Sequence, residues 1–532
     1  MKLYTKLLFL SSLFCLGACS WLDIEPEGEA TSDKLFSTGD GIRSVISGVY
    51  KAMTSQNLYG VELQFGLIDC VSQQYTWDWN HSSTDTKNKY REAKAFNYQY
   101  ADLRKSIDAI WADGYNVIAN ANNLIQNLQN TSPDVFAGGE MERNMILGEA
   151  YACRGLMHFD LCRMFAPAPV MNETGLYLPY VDSYPNIQPV GIEVKQFLEK
   201  VVADLEEGRR LTADFDLSPL GQSMSSSYRS RYEGQLDYGM EGYQQENTID
   251  DFYKGRGFRL SYYAITAILA RVYQYMGNDD KAYKYADQLL TFQATTIDGN
   301  KNNMYEEEYW WDVQNDKIEE RKHLKMPSNL IFALYNEDAY EDYGLDSYFK
   351  KKVDDNNVGQ WFVIDLRGQG FFKNPETGED EREADPRGKY LLFTPDYNSF
   401  SEGRDFISAK GYSSETPSIR KDNVKILPVI RTTEMRYIKA EILAKRGQFD
   451  KAYEILNKIR QNRNIWDPAL QQQNTMEKFL RDMVNDAQRE YLSEGQLFYL
   501  YKRLNYDVQI GNTKRKMTKT EYMFPLPDNQ NM

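Results

Sequence analysis

Hydrophobic and polar positions alternate at helical spacing over long stretches of the chain. From Ile107 the apolar or small positions run Trp111, Gly114, Ile118, Ala121, Ile125 and Leu128, in steps of four and three. That period predicts a long helix with one buried face. After Thr131-Ser132-Pro133 and Gly138-Gly139, a second series runs Ile146, Ala150, Cys153, Met157, Leu161 and Met164. Pro167 and Pro169 cannot continue a helix and end it. The pattern predicts two antiparallel helices joined by a short loop.

The chain also resembles itself. Ala270-Arg-Val-Tyr-Gln-Tyr-Met-Gly277-Asn-Asp-Asp280-Lys281-Ala282-Tyr283 aligns without gaps to Ala440-Glu-Ile-Leu-Ala-Lys-Arg-Gly447-Gln-Phe-Asp450-Lys451-Ala452-Tyr453, at a constant offset of 170. Each copy reads as a tetratricopeptide-like pair: a small residue where helices cross, a glycine closing the first helix, and a small alanine on the second. Such pairs cannot bury their faces alone and should stack into a solenoid. Two stretches interrupt the helical pattern, Leu211 to Gly257 and Phe292 to Leu427. They are rich in Gly, Asn, Asp, Tyr and Trp, with apolar runs at Asn329–Tyr335 and Gln360–Ile364 that predict short strands. Loops of this length usually carry function. The expected fold class is mainly α: a tetratricopeptide-like helical-pair solenoid scaffold with long loop-rich insertions carrying short strands.

Composition narrows the function. The chain has 532 residues and a formal charge of −15, so it lacks the basic excess of a nucleic-acid binder, and no nucleic acid is expected as a partner. Aromatic residues make up 14%, with 39 tyrosines, more than a core alone calls for.

The first residues set the compartment. Lys2 and Lys6 precede an apolar run, Leu7 to Leu16, about half the length a spanning helix needs. It ends in Leu16-Gly17-Ala18-Cys19, which resembles the lipobox of bacterial lipoproteins. Cleavage there removes residues 1–18 as a signal peptide and leaves Cys19 as the lipidated N-terminus. The loss of Lys2 and Lys6 takes the mature charge to −17. Ser20 is not the Asp that often retains lipoproteins at the inner membrane, so the outer membrane is the expected destination. Cys153 and Cys162, on one predicted helix, lie about 13 Å apart along its axis, too far to bridge. With Cys70 they form no disulfide framework.

Several blocks, in order, resemble the SusD/RagB family of Bacteroidetes surface lipoproteins. Phe36–Tyr50 is similar to the family's opening helix. Leu147-Gly148-Glu149-Ala150-Tyr151-Ala-Cys-Arg154-Gly-Leu-Met-His-Phe159-Asp160-Leu161 resembles its central GEA…R…FDL block. Glu434–Glu441 and Asn457–Arg463 resemble its paired-helix signature, Gln488–Gly495 with Tyr501-Lys-Arg503 its ER-x-E…EG…KR segment, and Phe524-Pro525-Leu-Pro527 its terminal PLP. Gln496 and Tyr499 depart from the family's Arg and Asp. The acidic stretch Asp23, Glu25, Glu27 and Glu29 loosely resembles the family phylum's surface-export signal. The resemblance implies a binding subunit and not an enzyme: a lid that captures a glycan, or in some members a peptide, and passes it into a SusC-like TonB-dependent outer-membrane barrel. It implies a chain divided into signal peptide 1–18, lipidated tether 19–32 and one SusD-like unit 33–532. Within the unit lie an N-terminal helical half 33–210, a loop insertion 211–257, a helical pair 258–291, a loop-rich insertion 292–427 and a C-terminal helical half 428–532.

Sugar recognition needs flat apolar rings for C–H faces and planar polar groups for hydroxyls. Tyr75, Trp77, Asp78, Trp79 and Asn80 offer both within six residues, near where the family places part of its ligand site. Tyr309, Trp310 and Trp311 open the large insertion, and adjacent aromatics cannot all face inward. Tyr340, Tyr343 and Trp361 are weaker candidates. No catalytic residue, cofactor or metal is expected: the three histidines are scattered, His158 reads as a packing residue, and H-E-x-x-H, G-x-S-x-G and P-loop patterns do not occur. Asp354-Asp355-Asn356-Asn357 lacks the EF-hand pattern and reads as a solvated turn.

Overall fold

A computed structural model describes residues 32–76, 85–185, 190–234, 249–295, 299, 301–305, 314–351, 362–396, 405–413, 424–466 and 469–528. The two long helices stand where the periodicity places them. After α1 (Gly39–Met53) come α2 (Ala101–Asn130) and α3 (Gly139–Phe165), joined by one turn of 3₁₀ helix at Pro133–Val135. Every member of both apolar series is buried. α3 packs between α2 and α4 (Val194–Asp216), which runs six residues past the expected boundary at residue 210. The extension follows from Leu211, Thr212 and Phe215, which keep α4's buried face in register.

The internal repeat is a pair of helical hairpins: α5 (Tyr262–Tyr275) with α6 (Asp279–Leu290), and α7 (Thr432–Lys445) with α8 (Phe449–Asn462). Gly277 and Gly447 hold φ of 76° and 75°, the left-handed turn that ends a helix and that only glycine adopts without strain. The amide of residue 278 donates to the Tyr273 carbonyl and that of 448 to the Leu443 carbonyl, both at 2.9 Å, the same bond at the same offset. Although the hairpins lie far apart in sequence, α6 packs directly on α7. The stack continues from α4 onto α5 and from α7 and α8 onto α9 (Met476–Glu490), followed by α10 (Leu497–Leu504). Ala270, Ala282, Ala440 and Ala452 are completely buried at these crossings. This is the helical-pair solenoid.

The family-like blocks wire the stack together. Glu149 accepts bonds from Arg256 and Arg259, each at 2.7 Å, and from the Tyr50 hydroxyl at 2.9 Å. Arg154 forks onto Asp204 of α4, and Asp160 is bonded to Arg163 and the Tyr59 hydroxyl. Glu490 is buried, which alone would raise its pKa, but Arg463, Arg387 and Arg431 hold it well below the usual carboxylate range. The two departures from the family pattern meet one partner. The Arg163 guanidinium lies 3.8 Å from the Tyr499 ring centroid and donates to Gln496. His158 is a buried packing residue: its Nδ1 donates to the Arg154 carbonyl, its Nε2 accepts from the Val181 amide, and burial keeps it neutral. Cys70, Cys153 and Cys162 are free thiols.

Both predicted strand runs contain a strand. β1 (Tyr75–Thr76), β2 (Leu330–Tyr335), β3 (Val363–Ile364), β4 (Leu392–Phe393), β5 (Ile407–Ser408) and β6 (Ile426–Arg431) are short. β2 and β6 pair antiparallel and bracket the large insertion, whose Arg387 and Glu381 bond back to Asp486, Glu490 and Arg460 of the solenoid. β6 was not foreseen, because Pro428 argues against a strand; the ladder shifts register between Pro428 and Ile430 to accommodate it.

Candidate functional site

The strands β1, β3, β5 and β4 form one sheet in that order, which joins the N-terminal half to the large insertion. Tyr75 pairs with Ile364 and Thr76 with Val363. Side chains of a strand alternate between faces, and here both faces are covered. Val363 and Ile407 join Ile318, Leu324, Leu391, Phe393 and Tyr412 in a small core of their own. Ile364 and the preceding Phe362 belong to the main core.

Phe362 sits at the centre of an aromatic cluster. Its ring centroid lies 4.7 Å from Tyr75, 5.0 Å from Tyr90, 5.1 Å from Tyr348 and 5.9 Å from Phe65. Polar bonds fasten the edge. The Lys94 ammonium donates to the Tyr75 carbonyl at 2.5 Å, and the Asp365 amide donates to the Gln74 carbonyl at 2.8 Å. Gln74 is gripped in turn from two sides: its Nε2 donates to nearby Asp69, and its Oε1 accepts from the Ser493 amide of the C-terminal half. Gly495 makes this contact possible. A Cβ there would come within 1.8 Å of the Leu63 carbonyl oxygen, and its amide donates to Asp69 at 3.0 Å. The EG pair therefore clamps the segment that leads into residue 77.

One described end of each aromatic run meets this frame. The first leaves the sheet at Thr76. The second begins after Tyr305, which is buried against Arg231 and Tyr263, and its far side returns at Ile318 beneath the sheet. Trp77, Asp78, Trp79, Asn80, Tyr309, Trp310 and Trp311 themselves lie outside the described residues, as do Cys19, His81, Asp354–Asn357 and Trp361.

Tyr75 requires a correction. Expected among the ligand-facing rings, it is completely buried, with its ring against Phe362 and its hydroxyl 3.2 Å from Ser493 Oγ. As the first strand residue it points into the core, so it anchors the run and does not stack on a ligand. Tyr343 is likewise structural: it is buried, and its hydroxyl donates to the Thr54 carbonyl at 2.6 Å. Tyr340 is half-buried and bonded to Asp346. Sequence reasoning missed Phe362 and Gln74, the residues that hold the frame; the apolar run around Phe362 was its only visible sign.

A cleft of about 50 Å³ lies inside the solenoid, lined by Arg163, Arg271, Glu434, Tyr499 and Arg503. It has room for a water or two, not for a sugar. Among the described residues, no three His, Cys, Asp or Glu side chains could share a metal ion, and no helix is long and apolar enough to cross a membrane.

Residues 20–220 match the SusD-like_3 family model, described as starch-binding associating with outer membrane. The chain is 22% identical over 566 aligned positions to SusD-like protein P38 of Formosa agariphila, covering 98% of this chain and 94% of that one. With SusD-like protein P2 of the same organism it shares 24% identity over 218 residues, covering 41% of this chain and only 40% of the relative. Solved structures share the fold. A SusD superfamily protein from Bacteroides thetaiotaomicron superposes with a TM-score of 0.61 at 19% identity, covering 91% of this chain and 92% of that one. A SusD-like carbohydrate binding protein from Bacteroides vulgatus gives 0.62 at 15%, with 93% and 96% covered. Surface glycan-binding protein A from Bacteroides fluxus gives 0.59 at 16%, again with 93% and 96% covered. The helical-pair stack is the fold of these SusD-like structures, and the chain is similar to SusD-like proteins over its first 220 residues by family model and over nearly its whole length by alignment.

Proposed function

We propose that this protein binds a glycan at the outer face of the outer membrane, tethered by lipid on Cys19, and delivers it to a SusC-like TonB-dependent barrel. The observation that carries the reading is the frame around Phe362: the chain enters the first tryptophan-bearing segment from the sheet at Thr76, and the residues after the second rejoin the small core of that sheet at Ile318. Aromatic rings with a carboxylate and an amide in one short segment, as Trp77, Asp78, Trp79 and Asn80 supply, suit pyranose rings and their hydroxyls. The printed descriptions of the matching family and of two structural neighbours, which name starch, carbohydrate and glycan, point the same way. The rigid stack of helices supplies the broad surface a lid over a barrel needs. Binding without turnover is the expected activity.

Calorimetry of the mature protein against a glycan panel tests this. Trp77→Ala, Trp79→Ala, Trp310→Ala or Trp311→Ala at a stacking position should weaken binding about 5- to 150-fold, the scale of buried aromatic anchors. The melting temperature should stay unchanged. If all four variants melt early while their folded fraction binds normally, the tryptophans are core and the assignment fails. Peptide binding with no glycan bound would replace the ligand class, and purification without a barrel from membranes that contain one would count against the delivery role.

A further inference from the structure

A polar groove lies on the C-terminal half. It has a volume of about 210 Å³ between α9 and the hairpin Val508–Ile510/Thr513–Arg515, and it is bordered by Gly368, Gln369 and Pro375 of the segment that follows β3. The volume equals the share of about seven waters, the scale of one sugar ring and not of a chain.

Its lining has the chemistry of saccharide recognition. Arg481, Asn485 and Gln488 stand four and three residues apart on α9 and so share one face. Tyr506 is half-buried, and its ring is stacked on Tyr501 with centroids 6.0 Å apart and planes 15° from parallel. That contact fixes the ring's orientation. Hydrogen-bonding capacity is left over around it. Asn485 accepts from Arg489 at 2.8 Å, while its own amide N–H groups have no partner among the described residues. Gln488 donates to the Tyr501 hydroxyl at 2.8 Å, which leaves its carbonyl oxygen open. Asp507 is exposed and makes no hydrogen bond or ion pair among the described residues, and the Lys514 ammonium lies 5.6 Å from the Tyr506 ring centroid, where a sugar on that ring would meet it. A planar ring, two amides, a guanidinium, a carboxylate and an ammonium thus surround a space of one ring.

We propose that this groove is a second saccharide position, which holds one sugar unit with its apolar face on Tyr506 and its hydroxyls on Asn485, Gln488, Asp507 and Lys514. It rests on the glycan-binding reading above. Amide and carboxylate groups can donate to and accept from adjacent hydroxyls at once, and the Tyr506 ring gives the C–H face its contact. A polymer seated on the tryptophan-bearing segments could then be held at two points, which raises avidity without any new contact at the first.

The test uses the mature protein and a panel of methyl glycosides (glucoside, galactoside, mannoside, xyloside and glucuronide) followed by saturation-transfer NMR. Four forms are compared: the parent, the quadruple variant Trp77→Ala/Trp79→Ala/Trp310→Ala/Trp311→Ala, the parent with Tyr506→Ala, and the parent with Asp507→Ala. Asp507 is exposed and unbonded, so its replacement leaves folding intact. A glycoside signal that persists in the quadruple variant, and that weakens at least about tenfold with Tyr506→Ala and measurably with Asp507→Ala, establishes the groove. A signal abolished in the quadruple variant and unchanged by both groove substitutions overturns it and leaves the proposed function standing. No glycoside signal with any form overturns both.

Discussion

Phe362→Ala should loosen the candidate site without loosening the solenoid. Phe362 is 1% exposed and touches Tyr75, Tyr90, Tyr348 and Phe65, so the substitution empties the middle of the cluster. Removing a buried phenylalanine side chain costs about 3–5 kcal/mol, and each lost aromatic pair is worth about 0.5–1.5 kcal/mol beyond burial. If the whole chain bore that loss, an unfolding entropy of about 2.1 cal/mol/K per residue over 532 residues would turn it into a melting shift of only about 3–5 °C. The sheet is small and one of its faces belongs to a separate small core, so most of the loss should appear as local opening. Hydrogen exchange reads this directly. The Ile364 amide donates to the Phe406 carbonyl, Asp365 to Gln74 and Ala409 to Leu391. Those three amides should exchange roughly two to four orders of magnitude faster, following about 1.4 kcal/mol per tenfold. The helix-end amides of Asn278 and Gln448 should exchange as in the parent. Unchanged exchange at Ile364 would refute the anchoring role of Phe362, and equal loosening at Asn278 would refute the independence of the sheet.

Cys19→Ala should move the protein from the membrane fraction to the soluble one; retention without lipid on residue 19 would defeat the anchor. Glu149→Ala should cost about 3–5 kcal/mol, because it leaves the Arg259 guanidinium and the Tyr50 hydroxyl without a buried acceptor and Arg256 with Asp216 alone; calorimetry with an unshifted melting temperature would show that the wiring is dispensable. Lys502 is buried with its amine on the Arg163 and Ala166 carbonyls, and burial brings its pKa down from 10.5 to about 7. Between pH 7 and 10 the unfolded amine holds a proton that the folded one lacks, so this group makes stability rise with pH, by up to about 1.4 kcal/mol per unit. Lys502→Met should remove that share, about 2 kcal/mol between pH 7.5 and 9.0 by urea unfolding; an unaltered pH slope would mean the amine stays charged in the fold.

Periodicity was enough to place the long helices, because a buried helical face repeats every three to four residues whatever it packs against. The Ile107–Leu128 and Ile146–Met164 series and the offset-170 repeat were legible for that reason, as was the turn chemistry of Gly277 and Gly447. Lipobox and family blocks are local strings and could be read directly. The role of those blocks was not legible: only the tertiary structure shows that Glu149 and Glu490 meet buried arginines and Arg154 meets Asp204 on other elements. Tyr75 was misread for the same reason. An aromatic run does not say which ring turns inward; that depended on β1 pairing with β3, some 290 residues away, and on the Phe362 ring that fills the space beneath it. Such pairings join segments whose separation leaves no local trace, so the frame of the site, its clamp at Gln74 and Gly495, and the groove around Tyr506 were decided by tertiary packing alone.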